Sequence, residues 1–209
     1  MPTRDSCVIV IFGASGDLTA RKLVPALFEL YVRGRLPQGV RLIGVSRTEI
    51  SDDDYRAKLR EWASEHASGF DASKWDEFAK GIFYYAGDAT EHEMYAGLTE
   101  RLKEVGKGFA GPDGLPNLLF YLAVSPNLYK PIIEQIGGSG LVSEGKRWCS
   151  IDRDSASWQR IIVEKPFGTD LASAESLNRA LGRVFEEEDT FRIDHYLGKD
   201  LVQDILVVR

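Results

Sequence analysis

Cysteine and histidine are scarce in this 209-residue sequence, which holds two of the former and three of the latter. Cys7 opens an apolar run and Cys149 stands beside Trp148, so both read as small buried hydrophobes, not as a disulfide framework or a reactive pair. His66, His92 and His195 show no metal-ligand spacing, and no metal is expected. An excess of basic residues is also lacking. Twenty-six Lys and Arg against 32 Asp and Glu leave a net charge of -6, with the two signs interspersed. Such a surface has no broad basic face to recruit a phosphate polymer or an anionic membrane, so neither nucleic acid nor membrane is an expected partner. No apolar run approaches the ~20 residues of a membrane span. The opening Met1-Pro-Thr-Arg-Asp-Ser6 leads directly into an apolar segment without a signal peptide, which makes the cytoplasm the expected compartment.

What is present, at 44% hydrophobic content, is ample material for a sizeable core, arranged as short apolar runs alternating with helical patterns. The chain is organised around Val8-Ile-Val-Ile-Phe-Gly-Ala-Ser-Gly-Asp-Leu18, a wholly apolar run broken by Gly-x-x-Gly. It reads as a buried strand turning tightly into a helix, because glycine lets the backbone double back close to a ligand. Leu23, Leu27, Leu30 and Tyr31 predict a helix over 19–33, with Pro25 near its first turn or kinking it. Further strands are expected at 40–45, 82–86, 118–123 and 160–163. Helices should follow Ser51 and Asp54, span 91–103 and 129–136, and begin again after Asp170. Five apolar strands alternating with helices specify an α/β fold, a Rossmann-like doubly wound parallel sheet whose ligands lie beyond the carboxyl ends of the strands. Glu186-Glu-Glu-Asp189 reads as a solvated turn that closes this domain, giving a cofactor-binding unit over 1–190.

Candidate site residues cluster behind the strands. Gly13, Ala14, Ser15, Gly16, Asp17 and Leu18 would present helix N-terminal amides to a pyrophosphate. Ser46-Arg47 ends the second strand where a ribose-binding acid commonly stands. A carboxylate there would repel a 2′-phosphate, whereas a guanidinium pairs with it bidentately, so NADP is expected over NAD. Asp88 and Ala89 follow the third strand and could lie along the cofactor, although an ordinary turn remains open. Lys165, fixed before Pro166 in an extended or cis geometry, would aim its ammonium at substrate hydroxyls and the nicotinamide carboxamide. Glu164 is read as a partner of Lys165 or of a neighbouring base. In Arg192-Ile-Asp-His-Tyr-Leu-Gly-Lys199, the groups of His195, Tyr196 and Lys199 suit a phosphate monoester, and Asp194 could steady a histidine elsewhere.

Together Gly13-Ala-Ser-Gly-Asp-Leu-Thr19, Arg21-Lys-Leu23, Gly44-Val-Ser-Arg47, Arg160-Ile-Ile-Val-Glu-Lys-Pro-Phe-Gly168 and the octapeptide at Arg192 resemble the glucose-6-phosphate dehydrogenase family. The resemblance implies hydride transfer from C1 of glucose 6-phosphate to NADP+, yielding 6-phosphoglucono-1,5-lactone and opening the pentose phosphate pathway. It assigns cofactor contacts to residues 13–18, Arg47, Asp88, Ala89 and Lys165. It assigns substrate contacts to Lys165, His195, Tyr196 and Lys199, the last three around the phosphate, and gives Asp194 the task of orienting a general-base histidine. It also implies that 191–209 begin an α+β substrate and dimerisation domain, incomplete here, that carries this histidine. Full-length members are then expected as homodimers or tetramers, and the 209-residue chain alone is expected to turn over negligibly. An NADP-binding module without turnover stays open as the alternative.

Overall fold

The computed structural model describes residues 6–67, 69–111, 114–142 and 157–194. Its strands are β1 (Cys7–Phe12), β2 (Arg41–Ser46), β3 (Ile82–Ala86), β4 (Asn117–Leu122), β5 (Gln159–Glu164) and β6 (Thr190–Ile193). Its helices are α1 (Val24–Val32), α2 (Asp52–His66), α3 (Ala72–Ala79), α4 (Glu93–Val105), α5 (Tyr129–Gly138) and α6 (Leu171–Val184). All strand pairings are parallel, in the order β3-β2-β1-β4-β5-β6. The chain therefore reverses its direction of strand addition between β1 and β4, and a crevice opens there beyond the carboxyl ends. Every residue of β1 is buried, as a central strand with helices on both faces requires.

Alternation along the strands feeds two cores. On one face Val8, Val10, Phe12, Phe120 and Val163 pack with α4, α5 and α6. On the other, Ile9, Ile11 and Tyr84 pack with α1, α2 and α3, where Phe28 lies 5.2 Å from Trp75 and 5.6 Å from Phe78 between ring centroids. Trp75 is 1% exposed, and truncating such a ring to Ala costs about 3–5 kcal/mol. Helix α3 lies in a stretch where only Trp75, Phe78 and Ala79 keep helical spacing, which is too little to announce it. It is fixed by its cap, the Asp71 carboxylate accepting from the amides of Ser73 (2.9 Å) and Lys74 (3.2 Å).

The helix expected over 19–33 is present but not uniform. Thr19–Leu23 form a π turn in which the Val24 amide donates to the Thr19 carbonyl, and Pro25 falls in the first turn of α1. Pro25 has no N–H for the carbonyl of Arg21, and a widened turn absorbs this mismatch. Ser51 and Asp170 cap α2 and α6 as expected. At the edge of the sheet the unpaired groups of β3 are occupied by α2: Tyr84 N–H donates to Asp52 Oδ1 (2.7 Å) and Arg56 Nε donates to the Ile82 carbonyl (2.8 Å). This blocks strand addition at that edge.

Two readings are corrected by the far edge. The turn 186–189 is not wholly solvated: Asp189 is 5% exposed and pairs with Arg160 at 3.4 Å. The sheet also has a sixth strand, because Thr190–Ile193 pair with β5 from Ile161↔Thr190 to Glu164↔Ile193. The boundary expected at 190 thus falls at the start of a strand. Four residues interrupted by Arg192 are too short to read as a strand from alternation alone. No described helix is long and apolar enough to cross a membrane.

Candidate cofactor and substrate site

The glycine turn occupies the switch point between β1 and β4. Gly13 adopts φ +88°, and a Cβ on it would stand 2.2 Å from the Ala123 carbonyl oxygen, so the end of β4 lies directly against the turn. The amides of Gly13 and Ala14 both donate to the Val45 carbonyl (3.0 and 3.1 Å), and Gly16 N–H donates to the Gly13 carbonyl (2.9 Å). Thr19, fully buried, donates its hydroxyl to the same Gly13 oxygen at 3.1 Å. Helical backbone begins at Asp17, so the first-turn amides of Asp17 and Leu18 lack intrahelical acceptors and form the positive end of the helix. Ala14 is buried, Leu18 half-buried, and Ser15 and Asp17 exposed, the last paired with Arg21 at 2.6 Å.

Beside this turn, β2 delivers the hydroxyl of Ser46 within 2.8 Å of Ser15 Oγ, and the next residue, Arg47, is exposed. One strand further, Asp88 takes the amide (3.0 Å) and hydroxyl (2.7 Å) of Thr90 on one oxygen. Those bonds, with the charge of Arg47 added, hold its carboxyl below the usual carboxylate range. The Ala89 carbonyl accepts from the hydroxyl of Tyr95 at 2.8 Å, and Gln135 Nε2 donates to the Thr90 carbonyl at 3.2 Å, so the loop carrying Asp88 and Ala89 is pinned from α4 and α5.

On the other side of the crevice the Lys165–Pro166 bond is cis. Lys165 is exposed, and its Nζ lies 2.7 Å from Asp194 Oδ2, the first residue beyond β6. This differs from the expected Lys165–Glu164 partnership. Glu164 alternates to a buried face of β5, is 8% exposed, and accepts a very short hydrogen bond from the hydroxyl of Tyr121 on β4. Burial first, then the hydrogen bond to Glu164 and its charge, push the Tyr121 phenol far above its ordinary value, while burial and the Glu164 charge raise that of Tyr129. Tyr121 lies in an apolar run where an aromatic reads as core, and Tyr129 follows a Ser-Pro break with nothing in its spacing to mark it. His195, Tyr196 and Lys199 lie outside the described residues. Of the predicted set, residues 13–18, Arg47, Asp88, Ala89, Lys165 and Asp194 all stand at the carboxyl edge of the sheet.

A family model described as "Glucose-6-phosphate dehydrogenase, NAD binding domain" matches residues 10–204. The chain belongs to the glucose-6-phosphate dehydrogenase family. Glucose-6-phosphate 1-dehydrogenase of Aggregatibacter actinomycetemcomitans is 41% identical over 205 residues, covering 98% of this chain and 39% of that protein. Glucose-6-phosphate 1-dehydrogenase 5, cytoplasmic, of Arabidopsis thaliana is 40% identical over 209 residues, covering 98% of this chain and 38% of its own length. Among solved structures, a glucose-6-phosphate dehydrogenase in complex with its substrate glucose-6-phosphate superposes with a TM-score of 0.79 at 37% identity, over 98% of this chain and 39% of that one. The enzyme from Mycobacterium avium gives 0.75 at 31%, over 98% and 40%. The chain thus spans about two-fifths of the length of these glucose-6-phosphate dehydrogenases. The family resemblance carried by the five motifs and the Rossmann-like parallel sheet expected from alternation both hold. The family domain also makes a nicotinamide dinucleotide the cofactor class.

Proposed function

We propose that this chain forms the cofactor-binding part of an enzyme that oxidises D-glucose 6-phosphate at C1 to 6-phospho-D-glucono-1,5-lactone while reducing NADP+, the first step of the pentose phosphate pathway. The observation that carries the reading is one shared sheet edge. The glycine turn with exposed Arg47 stands at the ends of β1 and β2, and the Lys165–Asp194 pair stands at the ends of β5 and β6. The donors around the turn, namely helix N-terminal amides, the Ser15 and Ser46 hydroxyls and one guanidinium, fit a phosphorylated dinucleotide by their chemistry.

In this reading Gly13, Ala14, Ser15, Gly16, Asp17 and Leu18 form the turn that receives the pyrophosphate, with the first-turn amides of Asp17 and Leu18 as donors and the bonded amides of Gly13, Ala14 and Gly16 fixing its shape; Arg47 pairs with the 2′-phosphate, and Asp88 and Ala89 line the adjoining ribose. Bound NADP+ supplies the hydride acceptor for C1. Lys165 holds a substrate hydroxyl and the cofactor's carboxamide, while His195, Tyr196 and Lys199 hold the sugar phosphate. Asp194, besides pairing with Lys165, orients the histidine that removes the C1 hydroxyl proton. We also propose the cytoplasm as its compartment, in line with the Arabidopsis relative's name, and a homodimer or tetramer as the full-length assembly.

Calorimetric titration of NADP+ and NAD+ into the wild-type chain and Arg47→Ala tests the cofactor reading. A charge-assisted contact to a phosphate is worth about 1.5–3 kcal/mol, so Arg47→Ala should weaken NADP+ by roughly 10- to 150-fold. NAD+ should change by less than about twofold. Equal losses for both dinucleotides would overturn the 2′-phosphate assignment.

A further inference from the structure

Arg47 is exposed on the bend that follows β2, so its usefulness to a ligand depends on what fixes the backbone beneath it. Before it, the Ser46 carbonyl accepts from Gly87 N–H at 2.9 Å, which ties the strand end to β3. After it the chain leaves the sheet, and the Thr48 carbonyl accepts from the hydroxyl of Tyr84 at 2.7 Å. The same phenolic oxygen lies 3.4 Å from the Ser46 carbonyl oxygen. The single phenolic proton therefore bonds the main chain just after Arg47, while the same oxygen lies against the carbonyl just before it.

Tyr84 is itself held firmly. It is 5% exposed, its own N–H donates to Asp52 Oδ1, and its ring packs 4.8 Å from that of Tyr55 between centroids. Tyr55 lies over Gly44, the register partner of Tyr84, where a Cβ would stand 2.5 Å from the Tyr55 hydroxyl oxygen. From there the Tyr55 hydroxyl reaches the carbonyl of Ala14, in the glycine turn, at 3.4 Å. Two tilted, packed phenols thus run from the phosphate turn to the backbone flanking Arg47. Burial of these rings would be served equally by phenylalanine. Only the hydroxyl of Tyr84 accounts for the two carbonyl contacts, and those contacts bracket one residue.

We propose that Tyr84 is a positioning residue for Arg47, its hydroxyl fixing the guanidinium's base relative to the glycine turn and so setting the preference for NADP over NAD. The proposal rests on the 2′-phosphate reading of Arg47 and reaches beyond it to a buried residue outside the proposed cofactor contacts. Its test compares NADP+ and NAD+ dissociation constants for wild type, Tyr84→Phe, Arg47→Ala and the double variant, with thermal melting of each. Loss of one hydrogen bond should weaken NADP+ by about three- to tenfold in Tyr84→Phe and leave NAD+ within about twofold. In the Arg47→Ala background the same change should alter NADP+ binding no further, because its effect passes through the guanidinium. Equal weakening of both cofactors, or an undiminished NADP+ loss in the double variant, would reduce Tyr84 to a packing residue and overturn the proposal. If Arg47→Ala collapses the NADP+/NAD+ ratio while Tyr84→Phe preserves it, positioning alone fails. If Arg47→Ala leaves the ratio intact, the parent reading fails and the proposal falls with it.

Discussion

Gly13→Ala should be far more damaging than the loss of a turn glycine, and its cost can be divided using other glycines of the same chain. Two effects add at this position. The backbone sits at φ +88°, where a Cβ costs roughly 1–2 kcal/mol. The new methyl would also stand 2.2 Å from Ala123 O and 2.8 Å from Ala123 C. Both are backbone atoms in a segment hydrogen-bonded to β1 through Ala123 N–H and the Phe12 carbonyl, so the collision can be relieved only by parting two central strands. Overpacking of that kind adds about 1–3 kcal/mol, for a sum on the order of 2–5 kcal/mol. Gly34→Ala isolates the first effect, since Gly34 has φ +64° and open space around it. Gly16→Ala, with a positive φ absent and its nearest atom at 3.1 Å, should be mild. Urea unfolding of the three variants measures the differences, read as shifts in midpoint at constant slope. The turn should also lose dinucleotide binding in Gly13→Ala, because the amides of residues 13–18 move with it. A Gly13→Ala midpoint no lower than that of Gly34→Ala would refute the close approach of the turn to β4.

Two further expectations follow from the buried and exposed charges. Burial raises the phenols of Tyr55, Tyr95 and Tyr121, the last with help from Glu164, above their ordinary value near 10. The folded chain then holds these protons more tightly than the unfolded chain, so this contribution is complete below pH ~10 and is lost as pH rises through the folded values. Stability should therefore fall increasingly steeply above pH ~10, by up to about 1.4 kcal/mol per pH unit for each such group once the unfolded phenols are ionised, measurable by urea unfolding between pH 8 and 11 with tyrosinate absorbance followed in parallel. Ordinary titration near pH 10 without loss of structure would contradict their burial. For the Lys165–Asp194 pair, which is exposed on the lysine side, Lys165→Met should cost no more than about 1 kcal/mol and lower the melting temperature by under about 4 °C. Glucose 6-phosphate binding, followed by ligand-observed NMR, should nevertheless fall roughly tenfold, as expected for loss of a charge-assisted contact. A large melting shift with unchanged binding would make Lys165 structural.

Strands and the glycine turn were legible because a parallel sheet covered on both faces demands continuous apolar runs, and such runs end sharply at Gly13, Arg47, Asp88, Ser125 and Lys165. The ends of strands are where ligands bind in this architecture, so finding the runs also marked the candidate site residues. Three things were not legible. The π turn at 19–23 depends on a carbonyl that Pro25 leaves without a donor, and spacing alone averages over it. Helix α3 stands on a cap more than on periodicity. The roles of Tyr84 and Tyr121 depend on which face of a strand meets which neighbour: Tyr121 reaches Glu164 only because β4 and β5 pair as Tyr121↔Ile162, leaving Glu164 one step along on the same face. A single sequence carries alternation but not registry between strands, so it cannot distinguish a core tyrosine from one whose hydroxyl holds a functional loop.

Register also explains how the Lys165 end is assembled. Because β6 continues the parallel pairing to Glu164↔Ile193, the first residues beyond the two strands, Lys165 and Asp194, emerge side by side. Lys165 N–H donates to the Ile193 carbonyl at 3.2 Å, and the side chains close the ion pair one bond later. A shift of one residue in this pairing would turn Asp194 to the opposite face and leave Lys165 without this partner. The carboxylate is therefore delivered by the same sheet that carries the glycine turn, not by a separately folded unit docking against it. Asp189, buried and paired with Arg160 of β5 at the start of β6, anchors that register at the strand's other end. What reads in sequence as an acidic surface turn thus fixes, five residues after Asp189, the position of the group beside Lys165.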